Sequence, residues 1–293
     1  MYRIGILGSE NSHAIAFSKI FNGFEEEYIG EFEDVRVVGT FSRYPEANQK
    51  LVEEFGVEFI AERPEDLLGK VDAVMVTARD GKYHAEYARP FIEAGIPAFI
   101  DKPFTSDGEG AIALARLAKE RNVPLVGGSS LKVCPEVKRL ASIVQKNPGK
   151  VLGGSDIAPV SMKNEYGDFY FYSSHLAEIC LPVFGYRPEW VYASETASGV
   201  CVLTHYGDFD VSNHYAEGMY KYAGTVITAD DVHTMSIHLD GAYVEEARSF
   251  VRMLRTGRME FSYEQLVQPV LYLNAVERAM KSGTRQTVQA VEL

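Results

Sequence analysis

Lys102 is the residue whose type and setting point first to chemistry. It follows the apolar run 97–100 and Asp101, and it directly precedes Pro103. The run predicts a buried strand, and the proline biases Lys102 towards an extended conformation. In an open α/β sheet, ligands bind outside the carboxyl ends of the strands, so an ammonium here faces the expected site. The alternative is an ordinary surface lysine at a strand end.

His175 is the second candidate, because a neutral imidazole near pH 7 can accept the proton of a hydroxyl group while a lysine polarises the same oxygen. Taken alone, this histidine is more typical of a packed structural residue. Its chemical role therefore depends on whether the fold brings it beside Lys102.

The segment 8–13 follows the first predicted strand and precedes the first predicted helix. Dinucleotide folds place glycines at such a turn, so that the backbone approaches a pyrophosphate at the helix N-terminus. Only Gly8 of the G-x-G-x-x-G pattern is present, while Ser9, Asn11 and Ser12 are candidate hydrogen-bonding partners for phosphate. The alternative is that Asn11 or Ser12 only caps the helix.

Two other residues of this turn stand out. Glu10 would repel a phosphate unless its side chain points away. His13 begins the first helix and is a candidate for phosphate or substrate contact, with capping and packing as the alternative.

The ends of the second and fourth predicted strands bear on the choice of cofactor. An acid usually ends the second strand in NAD sites, whereas an arginine accommodates the 2′-phosphate of NADP. Here the residues are Ser42 and Arg43, which favours NADP over NAD, although an ordinary exposed arginine would look the same. Thr77 and Ala78 end the fourth predicted strand and are candidate backbone contacts to the cofactor.

The elements that must position these residues follow an alternating pattern through residue 127, which predicts a parallel, doubly wound sheet because parallel strands need helical crossovers. The predicted strands are 3–7, 35–41, 57–60, 72–78, 97–101 and 123–126, and the predicted helices are 13–22, 45–55, 83–94 and 107–121. We expect this dinucleotide-binding domain to span residues 1–127.

The second domain is expected at residues 128–293. From residue 190 onwards, its predicted strands follow one another at hairpin spacing. The predicted helices are 131–147, which connects the domains, 242–255 and 263–281, and the predicted strands are 190–196, 199–205, 208–215, 224–229 and 232–239. A sheet with helices on one face leaves its other face to bury.

Composition bounds the function. The 293 residues are 46% apolar and carry a formal charge of −12, which disfavours nucleic acid and anionic membranes as partners. The three cysteines have no C-x-x-C spacing, so neither a disulfide framework nor a zinc site is expected. Four histidines in the predicted strands 199–239 lack diagnostic ligand spacing, and no metal is predicted. The sequence begins directly in a strand pattern, without a secretory leader, which indicates a cytoplasmic protein.

Several motifs together resemble those of the glucose–fructose oxidoreductase and inositol dehydrogenase family, Gfo/Idh/MocA. The motifs are Gly5-Ile6-Leu7-Gly8, Asp72-Ala73-Val74-Met75-Val76-Thr77, His84-Ala85-Glu86, Glu93-Ala94-Gly95, Asp101-Lys102-Pro103 and His175-Leu176-Ala177-Glu178. The resemblance implies an N-terminal Rossmann domain, a C-terminal domain with an open, largely antiparallel sheet, and a homodimer or homotetramer. It also implies a nicotinamide dinucleotide and hydride transfer at a carbinol carbon of a sugar or cyclitol.

The resemblance assigns roles to particular positions. Lys102 matches the lysine of the E-K-P motif, with Asp101 in place of the glutamate. Lys132 takes the place of the arginine in R-x-x-P. His175 matches the histidine of D-x-G-x-H, whose aspartate and glycine positions hold Phe171 and Ser173.

The usual carboxylate partner of that histidine is therefore absent, and Asp168, Tyr166 or Tyr170 are the candidates to compensate, with Asp168 and Tyr170 also candidate substrate contacts. The sequence thus predicts an NAD(P)-dependent oxidoreductase for a sugar, cyclitol or polyol, with Lys102 and His175 as its catalytic pair. Two alternatives remain: a lyase or epimerase that retains its cofactor, and a redox-inactive sensing or scaffold protein.

Overall fold

The computed structural model describes residues 1–293, and its first sheet is parallel throughout. The strands are β1 (Tyr2–Leu7), β2 (Val35–Phe41), β3 (Phe59–Ile60), β4 (Ala73–Val76), β5 (Ala98–Asp101) and β6 (Leu125–Gly128). Their spatial order is β3-β2-β1-β4-β5-β6. The order reverses between β1 and β4, which is where such sheets bind ligands. The predicted doubly wound sheet is confirmed.

Four helices connect these strands. They are α1 (Ser12–Phe21), α2 (Pro45–Phe55), α3 (His84–Glu93) and α4 (Gly108–Arg121). The boundaries of two of these helices show the physical basis of the sequence signals that predicted them. α2 begins at a proline and ends before Gly56, which has a φ of 66° that favours glycine. The carboxylate of Asp107 caps α4 by accepting the amide of Gly110 at 2.6 Å.

The second sheet has seven strands. They are β7 (Val151–Val160), β8 (Trp190–Thr196), β9 (Gly199–His205), β10 (Asp210–Glu217), β11 (Tyr222–Thr228), β12 (Val232–Ile237) and β13 (Gln286–Thr287). Their order is β12-β11-β7-β10-β9-β8-β13, and only the β7–β10 pair is parallel. The five strands β8 to β12 were predicted, whereas β7 and β13 were not. β7 contains Gly153, Gly154 and Pro159, which are unfavourable in strands and hide its pattern.

The segment that carries His175 differs from the expectation. The predicted connecting helix 131–147 is wrong at its start, because a 3₁₀ turn covers Ser130–Val133 and α5 begins at Pro135 and ends at Lys146. A proline disfavours helical geometry in the preceding residue. α6 (Phe169–Phe184) was not predicted, because it is buried on nearly every side and has no single apolar stripe.

The two C-terminal helices, α7 (Ala242–Thr256) and α8 (Tyr263–Ser282), pack beyond their own sheet. Phe250 of α7 joins the core of the first sheet, beside Phe99. Leu271 of α8 packs in the core near α4, while Tyr272 and the residues after it belong to the core of the second sheet. These helices therefore tie the two sheets together and fix the space between them.

The outer face of the second sheet is uncovered. The large apolar side chains exposed there are Ile157, Tyr192, Leu203, Ile227 and Val232. Tyr192 and Leu203 are direct cross-strand partners. A search of the helices for one with the length and apolar character of a membrane span finds none.

Candidate active site

A cavity of about 330 Å³ lies between the two sheets, beyond the carboxyl ends of β1 and β5. Residues that follow β1, β4 and β5 form one wall, and α6, α7 and the segment at β11 form the other. The lining includes Asn11, Ser12, His13, Arg79 and Lys102 from the first wall and Phe171, Tyr172, His175, Tyr220, Tyr222 and Tyr243 from the second. The cavity thus combines groups that are far apart in the sequence.

Lys102 is buried at the end of β5, and its Nζ donates to the backbone carbonyl of Phe171 at 3.1 Å. Nζ also lies 4.4 Å from the centre of the Phe171 ring. Burial lowers the pKa of Lys102, and the charge of Asp101 opposes this shift. The acceptor is a backbone carbonyl, a dipole without a full negative charge, and the Phe171 side chain supplies no carboxylate at the position where the resemblance expects the aspartate partner of His175. This bond uses one of three N–H donors, which leaves others for a ligand.

His175 lies on α6, with its Nδ1 2.7 Å from the hydroxyl oxygen of Ser129. Burial lowers the pKa of His175 well below 6.5, and the neighbouring Lys102 and His13 lower it further. The imidazole is therefore neutral at pH 7. When Nδ1 carries the ring proton and donates it to the Ser129 hydroxyl oxygen, Nε2 is the nitrogen that can accept a proton in the cavity.

The buried carboxylate of Asp101 holds the imidazole of His13, which also lines the cavity. Asp101 Oδ2 lies 2.6 Å from Nδ1 of His13 and accepts a hydrogen bond from the Asn11 amide at 3.1 Å. Burial alone would raise the pKa of Asp101, but His13 and Lys102 outweigh it and hold the pKa at about 2. Asp101 is therefore ionised at pH 7, and it orients His13 in the cavity wall.

The turn after β1 presents free backbone donors. Gly8 has a φ of 103°, and a Cβ there would collide with the backbone of Ala78, so only glycine fits this close approach. No acceptor in the protein pairs with the amide N–H groups of Ser9, Glu10 or Asn11. These donors lie at the N-terminus of α1, where the helix dipole favours an anion.

Other predicted contact residues hold this turn in place. The Ser9 hydroxyl donates to Asn48 at 2.7 Å, and the Thr77 hydroxyl donates to the carbonyl of Gly8 at 3.0 Å. The carbonyl of Ala78 lies 2.7 Å from Nε2 of the buried His84. Their side-chain and carbonyl groups are thus already engaged within the protein.

Ser12 stands beside the cap of α1. Its hydroxyl lies 3.3 Å from the side-chain oxygen of Asn11 and 3.4 Å from the hydroxyl of Tyr243. The Asn11 side chain also accepts the amide of His13, so the predicted cap is present. Ser12 therefore lines the cavity next to Tyr243 of α7.

Three predicted substrate contacts lie outside the cavity. The Nζ of Lys132 is 3.3 Å from a carboxylate oxygen of Glu178, with both side chains buried. Asp168 accepts the backbone amide of Asn164, and the hydroxyl of Tyr170 lies 2.7 Å from Asn274, which donates to it. The structure brings Lys102, His175 and His13 together but not these three, because each satisfies a local partner instead.

Sequence reasoning did not single out three residues that shape the cavity: Ser129, Tyr172 and Tyr243. Tyr172 lies three residues before His175, so a helix through this segment would have placed both on one face. Ser129 and Tyr243 carry no comparable local signal. Ser129 directly follows β6 and Tyr243 lies on α7, and the packing of these two elements brings both residues to the site.

The pair formed by Lys132 and Glu178 is expected to matter for stability. We predict that Lys132→Met lowers the free energy of unfolding by about 3–5 kcal/mol, because it leaves a buried carboxylate without its partner. Chemical denaturation measures this loss. Lys138→Met is the matched control, since its exposed ion pair with Glu260 should contribute less than about 1 kcal/mol. A loss for Lys132→Met no larger than that of the control would refute the prediction.

The N-terminal part of the chain, which forms the first sheet, matches a known protein family. Residues 2–128 match the model of the GFO_IDH_MocA family, described as an oxidoreductase family with an NAD-binding Rossmann fold. The N-terminal domain is therefore similar to the Gfo/Idh/MocA oxidoreductase family, and the match covers less than half of the chain. The match covers the strands and turns that carry Gly8, Thr77 and Lys102.

Two individual relatives match shorter parts of the chain. The chain is 38% identical over 74 residues to a UDP-N-acetylglucosamine 3-dehydrogenase of Acidithiobacillus ferrooxidans, a match that covers 25% of this chain and only 23% of that enzyme. A dehydrogenase of Aspergillus oryzae, aclE, is 33% identical over 97 residues and is likewise matched over 25% of its length.

Solved structures show the fold over the whole chain. GenD2 from gentamicin A biosynthesis, in complex with NAD, superposes with a TM-score of 0.83 over 99% of this chain and 97% of its own, at 18% identity. The scyllo-inositol dehydrogenase of Lactobacillus casei, with bound NAD(H) and scyllo-inositol, gives 0.82 over 98% and 99%, at 15% identity. At such identities the likeness concerns the fold alone.

Proposed function

We propose that this protein is an NAD(P)-dependent oxidoreductase that transfers a hydride to or from a carbinol carbon of a sugar, cyclitol or related polyol. The observation that carries the proposal is the convergence of Lys102 and His175 on one cavity beside the turn after β1. Of these, Lys102 lies within the family match, while α6 brings His175 to it from the second half of the chain.

The residues of the turn fit a dinucleotide. The unpaired amides of Ser9, Glu10 and Asn11 at the N-terminus of α1 would hold a pyrophosphate. Gly8 would keep the backbone close to it, and Lys102 would lie on the nicotinamide side. Such a dinucleotide, when bound, supplies or accepts the hydride.

The cavity residues would then manage the proton and the charge. His175 is neutral at pH 7, and with its Nδ1–H donated to the Ser129 hydroxyl oxygen, which would fix the ring, Nε2 can accept the hydroxyl proton of an alcohol substrate. Lys102 would hold the substrate oxygen with its remaining N–H donors and stabilise the negative charge that develops there. The reverse direction returns the proton from His175.

The walls suit a compact polyhydroxylated substrate. The tyrosines of the cavity, Tyr172, Tyr220, Tyr222 and Tyr243, supply ring surfaces for C–H groups and hydroxyls for hydrogen bonds. The scyllo-inositol bound in the Lactobacillus casei structure belongs to this class, and the UDP-N-acetylglucosamine named for the Acidithiobacillus relative carries a sugar of this class. We therefore propose a cyclitol or sugar rather than a lipid or peptide.

One observation favours a second candidate function. Phe171 stands where the resemblance expects the carboxylate partner of His175, so that a neutral hydroxyl, that of Ser129, is the group at Nδ1 of the ring. A protein that keeps its dinucleotide but performs elimination or epimerisation, or only senses a ligand, would tolerate this change. A sugar and polyol panel followed at the nicotinamide absorbance separates these cases, because only the leading proposal predicts net reduction of the cofactor.

The first test is thermal stabilisation by NAD, NADH, NADP and NADPH. A dinucleotide present at about 100 times its dissociation constant should add roughly 2.7 kcal/mol to the free energy of unfolding, because it binds only the folded state. AMP at the same concentration is the control, since it lacks the nicotinamide half. If none of the four dinucleotides raises the melting temperature, the proposal fails.

Three further parts of the proposal concern organisation. We propose residues 1–127 as the cofactor-binding unit and 128–293 as the substrate unit, with α7 and α8 packed on both sheets. We also propose a cytoplasmic homodimer or homotetramer that buries the exposed apolar residues of the second sheet, such as Tyr192 and Leu203. Light scattering coupled to size-exclusion chromatography would test the assembly.

A further inference from the structure

The side chain of Glu10 does not point towards the free amides of its own turn. One carboxylate oxygen accepts the Ser42 hydroxyl at 2.5 Å, and the other accepts the backbone amide of Arg79 at 3.0 Å. Ser42 is the first residue after β2, and Arg79 follows β4. The carboxylate therefore lies at the carboxyl end of β2, although it belongs to the turn after β1.

This is the place where Rossmann sites that prefer NAD carry an acid. That acid, at the end of β2, binds the ribose 2′-hydroxyl of the adenosine and repels the 2′-phosphate of NADP. The chain has Ser42 at the β2 end, and the serine hydroxyl donates to Glu10 rather than standing free. A carboxylate is thus present at the expected place, supplied by a different element.

The geometry of Glu10 suits this role. Its two hydrogen bonds fix both oxygens, so the side chain loses little further freedom when a ligand binds. An ionised carboxylate has about four lone-pair sites, and two hydrogen bonds leave acceptor capacity for ribose hydroxyls.

Arg43, which favoured NADP in the sequence, is already engaged. Its Nε donates to the hydroxyl of Tyr87 at 3.0 Å, a second nitrogen donates to Glu86 at 3.3 Å, and the guanidinium lies 4.1 Å from the centre of the Tyr83 ring. These bonds use two of its five N–H donors, and a 2′-phosphate would compete with Glu86 for the guanidinium. The nearby carboxylate of Glu10 would also repel that phosphate.

We propose that Glu10 is the residue that selects NAD over NADP, by presenting from the β1–α1 turn the ribose-binding carboxylate that β2 lacks. This inference rests on the proposed function, since it concerns how the same site recognises its cofactor. It reverses the preference for NADP that Ser42 and Arg43 suggest in the sequence.

The test is direct titration of the purified protein with NADH and NADPH, followed by nicotinamide fluorescence. The wild type should bind NADH at least about 10-fold more tightly than NADPH, because a hydrogen bond to a charged group is lost and a charge repulsion is gained with the phosphate. Glu10→Gln should reduce this ratio by about 10-fold or more. Glu54→Gln, an equal change of charge at the far end of α2, should leave the ratio unchanged.

A double variant tests whether an acid on β2 can replace Glu10. Adding Ser42→Asp to Glu10→Gln places an acid on β2 itself and should restore the preference for NADH. Circular dichroism melts confirm that each variant is folded, and if Glu10→Gln fails to fold, Glu10→Asp, which withdraws the same charge by one methylene, must lower the ratio instead.

The outcomes separate the two proposals. If NADH and NADPH bind equally well to the wild type, or if Glu10→Gln keeps the wild-type ratio, the inference about Glu10 is overturned while the proposed function stands. If neither nucleotide binds, both fall.

Discussion

Lys102→Met is expected to lower kcat/KM by about 10²–10³-fold while leaving NADH binding within a few-fold of the wild type. The ammonium is the positively charged donor expected at the substrate oxygen, and removal of one such donor typically has an effect of this size. Methionine fills similar volume in the buried position between β5 and Phe171. Steady-state kinetics on the best substrate of the polyol panel measures the loss.

The pH dependence adds a second readout for Lys102. Its pKa lies below 10.5, so the basic limb of the kcat/KM profile, where the ammonium loses its proton, should lie below pH 10.5 in the wild type. That limb should be absent in Lys102→Met. Lys119→Met, on the exposed surface of α4, is the control and should retain both activity and profile. Turnover within a factor of three of the wild type would remove Lys102 from the mechanism.

His175→Ala is expected to lower kcat/KM by about 10²–10⁴-fold, which is the usual contribution of a positioned general base. The imidazole must be neutral to accept the hydroxyl proton, and its pKa lies well below 6.5 because of burial and the neighbouring Lys102. Activity in the direction of alcohol oxidation should therefore persist below pH 6.5 and fall only as the pH drops through this lowered pKa. In His175→Ala the acid limb should disappear.

His205→Ala is the control for that experiment, because His205 pairs with Asp210 at the end of β9 and does not line the cavity. Ser129→Ala should have a smaller effect than His175→Ala, since it removes the group that orients the ring but leaves the base. A variant His175→Ala with the wild-type acid limb would show that another group accepts the proton. His13, held by Asp101 in the same wall, would then be the candidate.

Much of the fold followed from local signals. Pro45 and Gly56 bound α2, Asp107 caps α4, and the alternation of strands and helices predicted the parallel sheet. These signals are local in origin, so they are readable from sequence. α6 and β7 were missed because tertiary packing determines them: the helix is buried on nearly every side, and the strand carries two glycines and a proline.

The candidate site was only partly predictable for the same reason. Lys102 and the turn at Gly8 sit at strand ends, where a sheet exposes residues to ligands, and the structure places Lys102 in the cavity with His175. Lys132 has the same charge as Lys102, but burial beside Glu178 removes it from the cavity. The direction of the Glu10 side chain depends on Ser42, 32 residues away, and no sequence pattern reports it.

The most direct test is a crystal structure of the protein grown with NADH. We predict that the pyrophosphate lies on the free amides of the turn at residues 9–11, that the adenosine ribose meets Glu10, and that the nicotinamide enters the cavity beside Lys102 and His175. A dinucleotide bound elsewhere, or one whose nicotinamide points away from this cavity, would contradict the proposed chemistry.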